Sequence, residues 1–196
     1  MRSAENVLAE IRNMGMNAFM FEDDFFAVNR KRAIEICEGI KGHGYRWQCG
    51  SRAETLVDEE LCRALKDAGC DTVWVGIESL SQDSLDRCKK STTVEKMLAG
   101  VEVAHKVGLN IMAQFIVGLP GDTERDILLT VGGIKKAMLK RKGVQKIWIV
   151  PNTEAYTRAK ARGFDDEVFL KKGAPYYTYE QDMATLDRWY KMIQTA

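Results

Sequence analysis

The sequence predicts an α/β fold, a partial TIM-like (β/α) barrel that lacks its first strand. Three observations lead there. Apolar strand-like runs alternate with amphipathic helical stretches about five times, without linkers or low-complexity segments, and such alternation builds a mostly parallel sheet covered by helices. The run Asn110 to Val117 is almost continuously apolar, as expected of a strand covered on both faces. No Gly-x-Gly-x-x-Gly follows the first strand, which favours a curled sheet over a Rossmann sheet. The chain opens on a helix, and a parallel sheet that begins this way is expected to have lost its first strand or to leave an edge exposed.

Ser3 to Met14 reads as an amphipathic helix, with Ser3 as its cap and Val7, Leu8 and Ile11 at helical spacing. Asn17 to Phe21 is a short apolar strand that runs into Glu22-Asp23-Asp24-Phe25-Phe26. Arg30 to Ile40 is a helix closed by Gly42 and Gly44. Tyr45 to Gly50 is a strand followed by Ser51 and Arg52. Asp58 to Ala68 is helical and closes at Gly69. Asp71 to Ile77 is a strand ending in Glu78-Ser79. Ser81 to Lys89 is a short helical piece, and Thr93 to Val107 is a longer helix stopped by Gly108.

The central strand, Asn110 to Val117, ends abruptly at Gly118-Leu119-Pro120-Gly121. Asp122 or Thr123 caps the next helix, Glu124 to Lys140. Val144 to Val150 is a strand running into Pro151-Asn152-Thr153-Glu154, and Ala155 to Arg162 is a short helix closed by Gly163. Phe164 to Tyr177 is irregular, and Tyr179 to Ile193 is the last helix.

At 196 residues the chain can form one domain with a sizeable core. Its formal net charge of +1 supplies no global field for nucleic acid or membrane. No apolar run is long enough to span a bilayer and no signal-peptide core is present, so a cytoplasmic protein is expected. The basic stretch Lys135 to Lys146 is read as a solvated helix face and loop. Trp47, Trp74 and Trp148 lie within strands, as packing residues. Cys37, Cys49, Cys62, Cys70 and Cys88 are at least eight positions apart, which is neither a metal pattern nor a disulfide framework, so reduced buried thiols are expected. With His43 and His105 as the only histidines, a zinc site or histidine triad is disfavoured.

Polar residues recur at the carboxyl ends of the strands: Asp23 and Asp24, Ser51 and Arg52, Glu78 and Ser79, Gln114 and Gly118, and Asn152. In a barrel these converge on one mouth. Singly, each has a structural reading: Asp24 or Glu78 as a helix cap, Arg52 as a surface ion pair. Together they suit a zwitterionic ligand with hydroxyls. Gln114 is a lone amide in an apolar strand, and it needs a partner from a neighbouring main chain or a ligand.

Phe21-Glu22-Asp23-Asp24-Phe25-Phe26, Arg52, Gly76-Ile77-Glu78-Ser79, the run Phe115 to Glu124 with its Gly118-Leu119-Pro120-Gly121, and Pro151-Asn152-Thr153-Glu154-Ala155-Tyr156 occur in that order. Together they resemble the radical S-adenosylmethionine enzymes, in the branch with cobalamin-binding members and anaerobic magnesium-protoporphyrin monomethyl ester cyclases. The resemblance runs from about Ser3 to Gly163. It implies a partial (β/α) barrel that binds S-adenosylmethionine at its strand ends. By resemblance, Asp24 with Asp23 lies near the methionine amino group, Arg52 near its carboxylate, Glu78 and Gln114 near the ribose, and Ile116 and Gly118 beside the adenine.

One departure limits the resemblance. The family holds a 4Fe–4S cluster through a Cys-x-x-x-Cys-x-x-Cys loop after the first strand, and this sequence has no such spacing. The expectation is a truncated radical domain over 1–196, with a core at 3–163 and a C-terminal extension at 164–196, inactive alone. The parent would hold the cluster, with a cobalamin domain upstream. It would take electrons from a donor protein and generate a 5′-deoxyadenosyl radical that abstracts hydrogen from a small-molecule substrate, for cyclisation or methyl transfer. The alternative is a cluster-less, non-catalytic α/β binding module. An ordinary barrel enzyme using Asp24 and Glu78 as acid and base ranks last. Dimerisation through the exposed sheet edge is expected, and neither membrane nor nucleic acid is.

Overall fold

The computed structural model describes residues 1–167 and 180–196. Its strands are β1 (Ala18–Phe21), β2 (Arg46–Ser51), β3 (Cys70–Glu78), β4 (Asn110–Val117) and β5 (Lys142–Lys146), hydrogen-bonded in sequence order. The pairs β1–β2 and β2–β3 are parallel, with Ala18 opposite Arg46 and Cys49 opposite Val73. The helices are α1 (Ala4–Asn13), α2 (Arg30–Ile40), α3 (Glu59–Asp67), α4 (Gln82–Arg87), α5 (Val94–Lys106), α6 (Glu124–Lys136), α7 (Glu154–Ala161) and α8 (Met183–Gln194). This is the parallel α/β class expected from the alternation of elements. The chain divides into two compact units, residues 1–77 with 94–113, and residues 78–93 with 114–196.

In the first unit the helix starts are set by short polar side chains. Ser3, Asn29 and Asp58 accept hydrogen bonds from the backbone N–H groups of Asn6, Arg32 and Leu61, each satisfying a donor that the first turn leaves orphaned. The apolar faces of α1 and α2 then bury Val7, Ile11, Ala33, Ile36 and Ile40. Trp47 is buried on β2 and donates its indole N–H to the Ala68 carbonyl at 2.8 Å. Phe21 and Phe26 pack around it, with ring centroids 5.3 and 5.4 Å from the indole. Helix α5 lies against the 3-10 turn Ala53–Val57. A Cβ at Gly100 would stand 1.9 Å from the Ala53 carbonyl oxygen, so only glycine allows this approach. Strand β1 ends the strand order and pairs only with β2 among the described residues.

In the second unit α6 begins with a reciprocal cap: Thr123 accepts from the Asp126 N–H, and Asp126 accepts from the Thr123 N–H. Helix α8 packs on α6 and β5 through Leu186, Trp189 and Ile193, and Arg188 reaches Glu124 at 2.9 Å.

Several expectations are corrected. The last strand is Lys142–Lys146 rather than Val144 to Val150, because a turn claims the Val150 carbonyl, which accepts from both the N–H and the hydroxyl of Thr153. Trp148 accordingly is not a packed strand residue; it is 53% exposed. Helix α6 stops at Lys136, short of Lys140, where Met138 takes φ 51° and Leu139 N–H returns to the Ile134 carbonyl. Strand β4 keeps its expected bounds, but only Ile111, Ala113, Phe115 and Val117 form a fully buried face; Met112, Gln114 and Ile116 are half-buried. Helix α8 starts at Met183, capped by Asp182. Most of the segment expected to be irregular, Phe164 to Tyr177, lies outside the described residues, as does Tyr179. Phe164 itself packs with Ile149 and Ala159.

Candidate functional site

In the first unit the predicted residues follow β1 and β2. Asp23 and Asp24 are exposed. Their main chain crosses close over β2, where a Cβ at Gly50 would meet the two carbonyl oxygens at 3.0 and 3.2 Å. Glycine at the end of β2 therefore lets the carboxylate loop settle on the strand. Arg52 is also exposed, with its guanidinium 3.6 Å from Glu54 and 5.9 Å from the Phe25 ring centroid. It pairs with a near neighbour in sequence.

In the second unit Glu78 ends β3 in a left-handed conformation, φ 64°. A carboxylate residue seldom takes that conformation, and it is strained there by about 1 kcal/mol. It does not cap a helix; it meets Lys90 Nζ at 3.2 Å, with both side chains about one quarter exposed. Gln114 and Ile116 share the half-buried face of β4. The Gln114 amide lies against Gly143 of β5, where an added Cβ would be 2.4 Å from Oε1. Its Nε2 is buried and has no hydrogen-bond partner among the described residues. A buried amide donor left this way costs about 1–3 kcal/mol unless a ligand meets it. Gly118 then turns the chain at φ 82°.

The turn after Gly118 is held by a network in which the sequence does not single out Ser81, Ser84, Arg87, Asp126 and Thr130, and marks Asp122 only as a possible helix cap. Asp122 accepts from Leu119 N–H at 3.0 Å and from the Ser84 hydroxyl at 2.5 Å. Arg87 donates to the Pro120 carbonyl at 3.1 Å and to Asp126 at 2.9 Å. Asp126 also accepts from the Ser81 hydroxyl, and the Thr130 and Ser79 hydroxyls lie 3.1 Å apart. Burial pushes the Asp122 carboxyl up to about 6, helped by the nearby Asp126 charge and opposed by Ser84, Leu119 and Arg87. Burial would raise Asp126 too, but its hydrogen bonds from Ser81, Thr123 and Arg87 outweigh that and hold it below the usual carboxylate range. No local sequence signal marks this network, because its partners lie far apart in the chain.

The cysteines do not form a metal centre. Cys37, Cys49, Cys62 and Cys70 are buried and Cys88 is half-buried. Burial pushes the Cys37 thiol up to about 12 and the Cys62 and Cys88 thiols up to about 11, away from the thiolate that iron requires. No group of three or more potential metal ligands occurs among the described residues.

Comparison with known proteins supplies the family. The family model described as the radical SAM superfamily matches residues 1–132. An uncharacterized methyltransferase of Pyrococcus horikoshii is 36% identical over 140 residues, covering 68% of this chain and 30% of that protein. The anaerobic magnesium-protoporphyrin IX monomethyl ester cyclase of Rubrivivax gelatinosus is 32% identical over 120 residues, covering 60% of this chain and 21% of its own length. This chain thus spans less than a third of either relative. Among solved structures, the radical S-adenosylmethionine methyltransferase TsrM from Kitasatospora setae, with cobalamin and a 4Fe–4S cluster bound, superposes with a TM-score of 0.70 at 19% identity, over 81% of this chain and 32% of that one. The cobalamin-dependent S-adenosylmethionine radical enzyme OxsB, with aqua-cobalamin and S-adenosylmethionine bound, gives 0.60 at 18% identity, over 94% and 28%. At these identities the likeness to the solved structures is one of fold. With a family match across two thirds of its length, the chain belongs to the radical S-adenosylmethionine superfamily.

Proposed function

We propose that this chain is the S-adenosylmethionine-binding core of a radical enzyme that performs methyl transfer or cyclisation. The observation that carries the proposal is the buried, unpartnered Nε2 of Gln114, a donor on the central strand that fits a ligand hydroxyl or ring nitrogen. The left-handed Glu78 and the glycine turn at Gly118, both at strand ends, support it. Glu78 and Gln114 would take the ribose, Ile116 and Gly118 the adenine, and Asp23, Asp24 and Arg52 the methionine zwitterion. S-adenosylmethionine supplies the 5′-deoxyadenosyl group for hydrogen abstraction when a cluster reduces it.

The residues here do not fit that cluster, because the thiols are separated in sequence and most are buried. Its ligands, and any cobalamin site, are assigned to other segments of the parent protein. The chain alone is therefore expected to bind S-adenosylmethionine without cleaving it.

Calorimetric titration with S-adenosylmethionine tests the reading. Saturable one-site binding is expected, weakened about tenfold by Gln114→Ala, the effect of one lost buried hydrogen bond. No binding, or binding indifferent to Gln114→Ala and to Asp24→Asn alike, would remove the proposal.

A further inference from the structure

The second unit contains a small pocket that the S-adenosylmethionine contacts do not use. It lies between the end of α4, the turn after Gly118 and the start of α7, with a volume of about 260 Å³. Its described lining carries three cations, Arg87, Lys89 and Arg158, and one carboxylate, Glu154. Leu119, Ile147 and Ala155 supply aliphatic wall. We infer that this pocket binds a carboxylate on a short apolar stem, an arm of the substrate; its role as a substrate arm rests on the function proposed above.

Three features point to that ligand. The cations already grip a carboxylate: Lys89 Nζ reaches Glu154 Oε2 at 2.7 Å, and Arg158 donates to Glu154 Oε1. Glu154 thus occupies the position of the ligand and competes with it. Arg87 is held by Asp126 at 2.9 Å, by Asp122 at 3.6 Å and by the Pro120 carbonyl, so it forms a fixed edge of the pocket whose charge is already matched, and Lys89 and Arg158 are the cations that a ligand displacing Glu154 would meet. Helix α7 begins here, with Thr153 as its cap accepting from the Tyr156 N–H. This leaves the Glu154 and Ala155 N–H groups at the positive end of the helix, where anions are favoured. The volume selects an arm over a whole molecule, since pockets that enclose a complete small ligand run from about 300 to 1,000 Å³. A bare dianion would leave the aliphatic wall unused.

The test uses butyrate as the probe, followed by amide shifts in a nitrogen–proton correlation spectrum of the chain. Saturable shifts are expected at Lys89, Leu119, Glu154 and Ala155, fading as salt rises. Glu154→Gln removes the internal competitor and should tighten binding about threefold, a gain that a purely structural Glu154 would not give. Lys89→Gln combined with Arg158→Gln should weaken it about fivefold or more. No saturable shift, looser binding in Glu154→Gln, equal shifts with butylammonium, or tighter binding of inorganic phosphate than of butyrate would each overturn the inference. S-adenosylmethionine titration of the Lys89→Gln, Arg158→Gln protein separates the two proposals. If that ligand binds normally while butyrate fails in the unaltered chain, only the pocket is wrong. If butyrate binds and S-adenosylmethionine never does, the assignment of the arm to a radical substrate falls.

Discussion

Asp122 should make the protein lose stability as pH rises from acid toward neutral, which is the reverse of the usual behaviour of a native carboxylate. Its side chain is 2% exposed, and burial moves its carboxyl from 3.8 to about 6. A folded-state value above the unfolded one means that the folded chain holds the proton more tightly between those two points. Stability is then whole below 3.8 and falls as pH climbs through about 6. The gap corresponds to roughly 3 kcal/mol once Asp122 is ionised. Asp126 works in the opposite sense: its lowered value gives stability that is present above the unfolded carboxylate range and lost only at more acid pH. The two windows barely overlap, so the Asp122 effect is readable by itself.

Asp122→Asn removes the titration. It also turns one acceptor into a donor facing either Ser84 or the Leu119 N–H, so its absolute stability is expected to drop. The informative quantity is the pH dependence of the difference between the two proteins. Urea unfolding followed by tryptophan fluorescence, from about pH 4.5 to about pH 7.5, should show Asp122→Asn gaining about 2 kcal/mol relative to the unaltered chain. Groups that behave alike in the two proteins cancel in that difference. A difference flat to within about 0.5 kcal/mol would refute both the buried charge and the argument built on it.

Two further substitutions probe other points. Gly100→Ala places a methyl 1.9 Å from the Ala53 carbonyl oxygen, so α5 must back away from the Ala53–Val57 turn; a loss of about 2–3 kcal/mol is expected in urea unfolding despite the better helix propensity of alanine, and unchanged stability would refute the close approach. Glu78→Gly relieves the φ of 64° and should leave stability within about 1 kcal/mol while weakening S-adenosylmethionine binding about tenfold; unchanged affinity would exclude Glu78 as a contact.

Much of the fold was legible because its determinants are local. Helix α2 and strand β4 have the expected bounds, since apolar periodicity and flanking breakers act within a few residues. Ser3 announced its helix by type, and Thr123 was one of the two caps that type allowed for α6. Two misplaced ends follow left-handed backbone at Met138 and Asn152, and methionine, unlike asparagine, gives no warning of it by type. The hydrogen-bond network around Asp122 was illegible for a different reason. Ser84 and Asp122 are 38 positions apart, and Ser79 and Thr130 are 51 apart, so only the folded second unit brings them together.

The candidate site shows the same division. That polar residues would end the strands followed from position in the repeat. Which partners they would take did not: Arg52 finds Glu54, and Glu78 finds Lys90. Glu78 is the residue where the two kinds of information meet. Its pair with Lys90 is partly exposed, and such pairs are worth about 1 kcal/mol at most. That is no more than the cost of holding a non-glycine residue left-handed. The fold thus gains little from a glutamate here, and a glycine would fit the turn with less strain. Gln114 presents the same imbalance on the next strand, where an apolar side chain would leave no orphaned donor. Under the proposed function these two costly residues, one at the end of β3 and one within β4, would both meet one ribose, and contacts to that ligand would offset what packing does not.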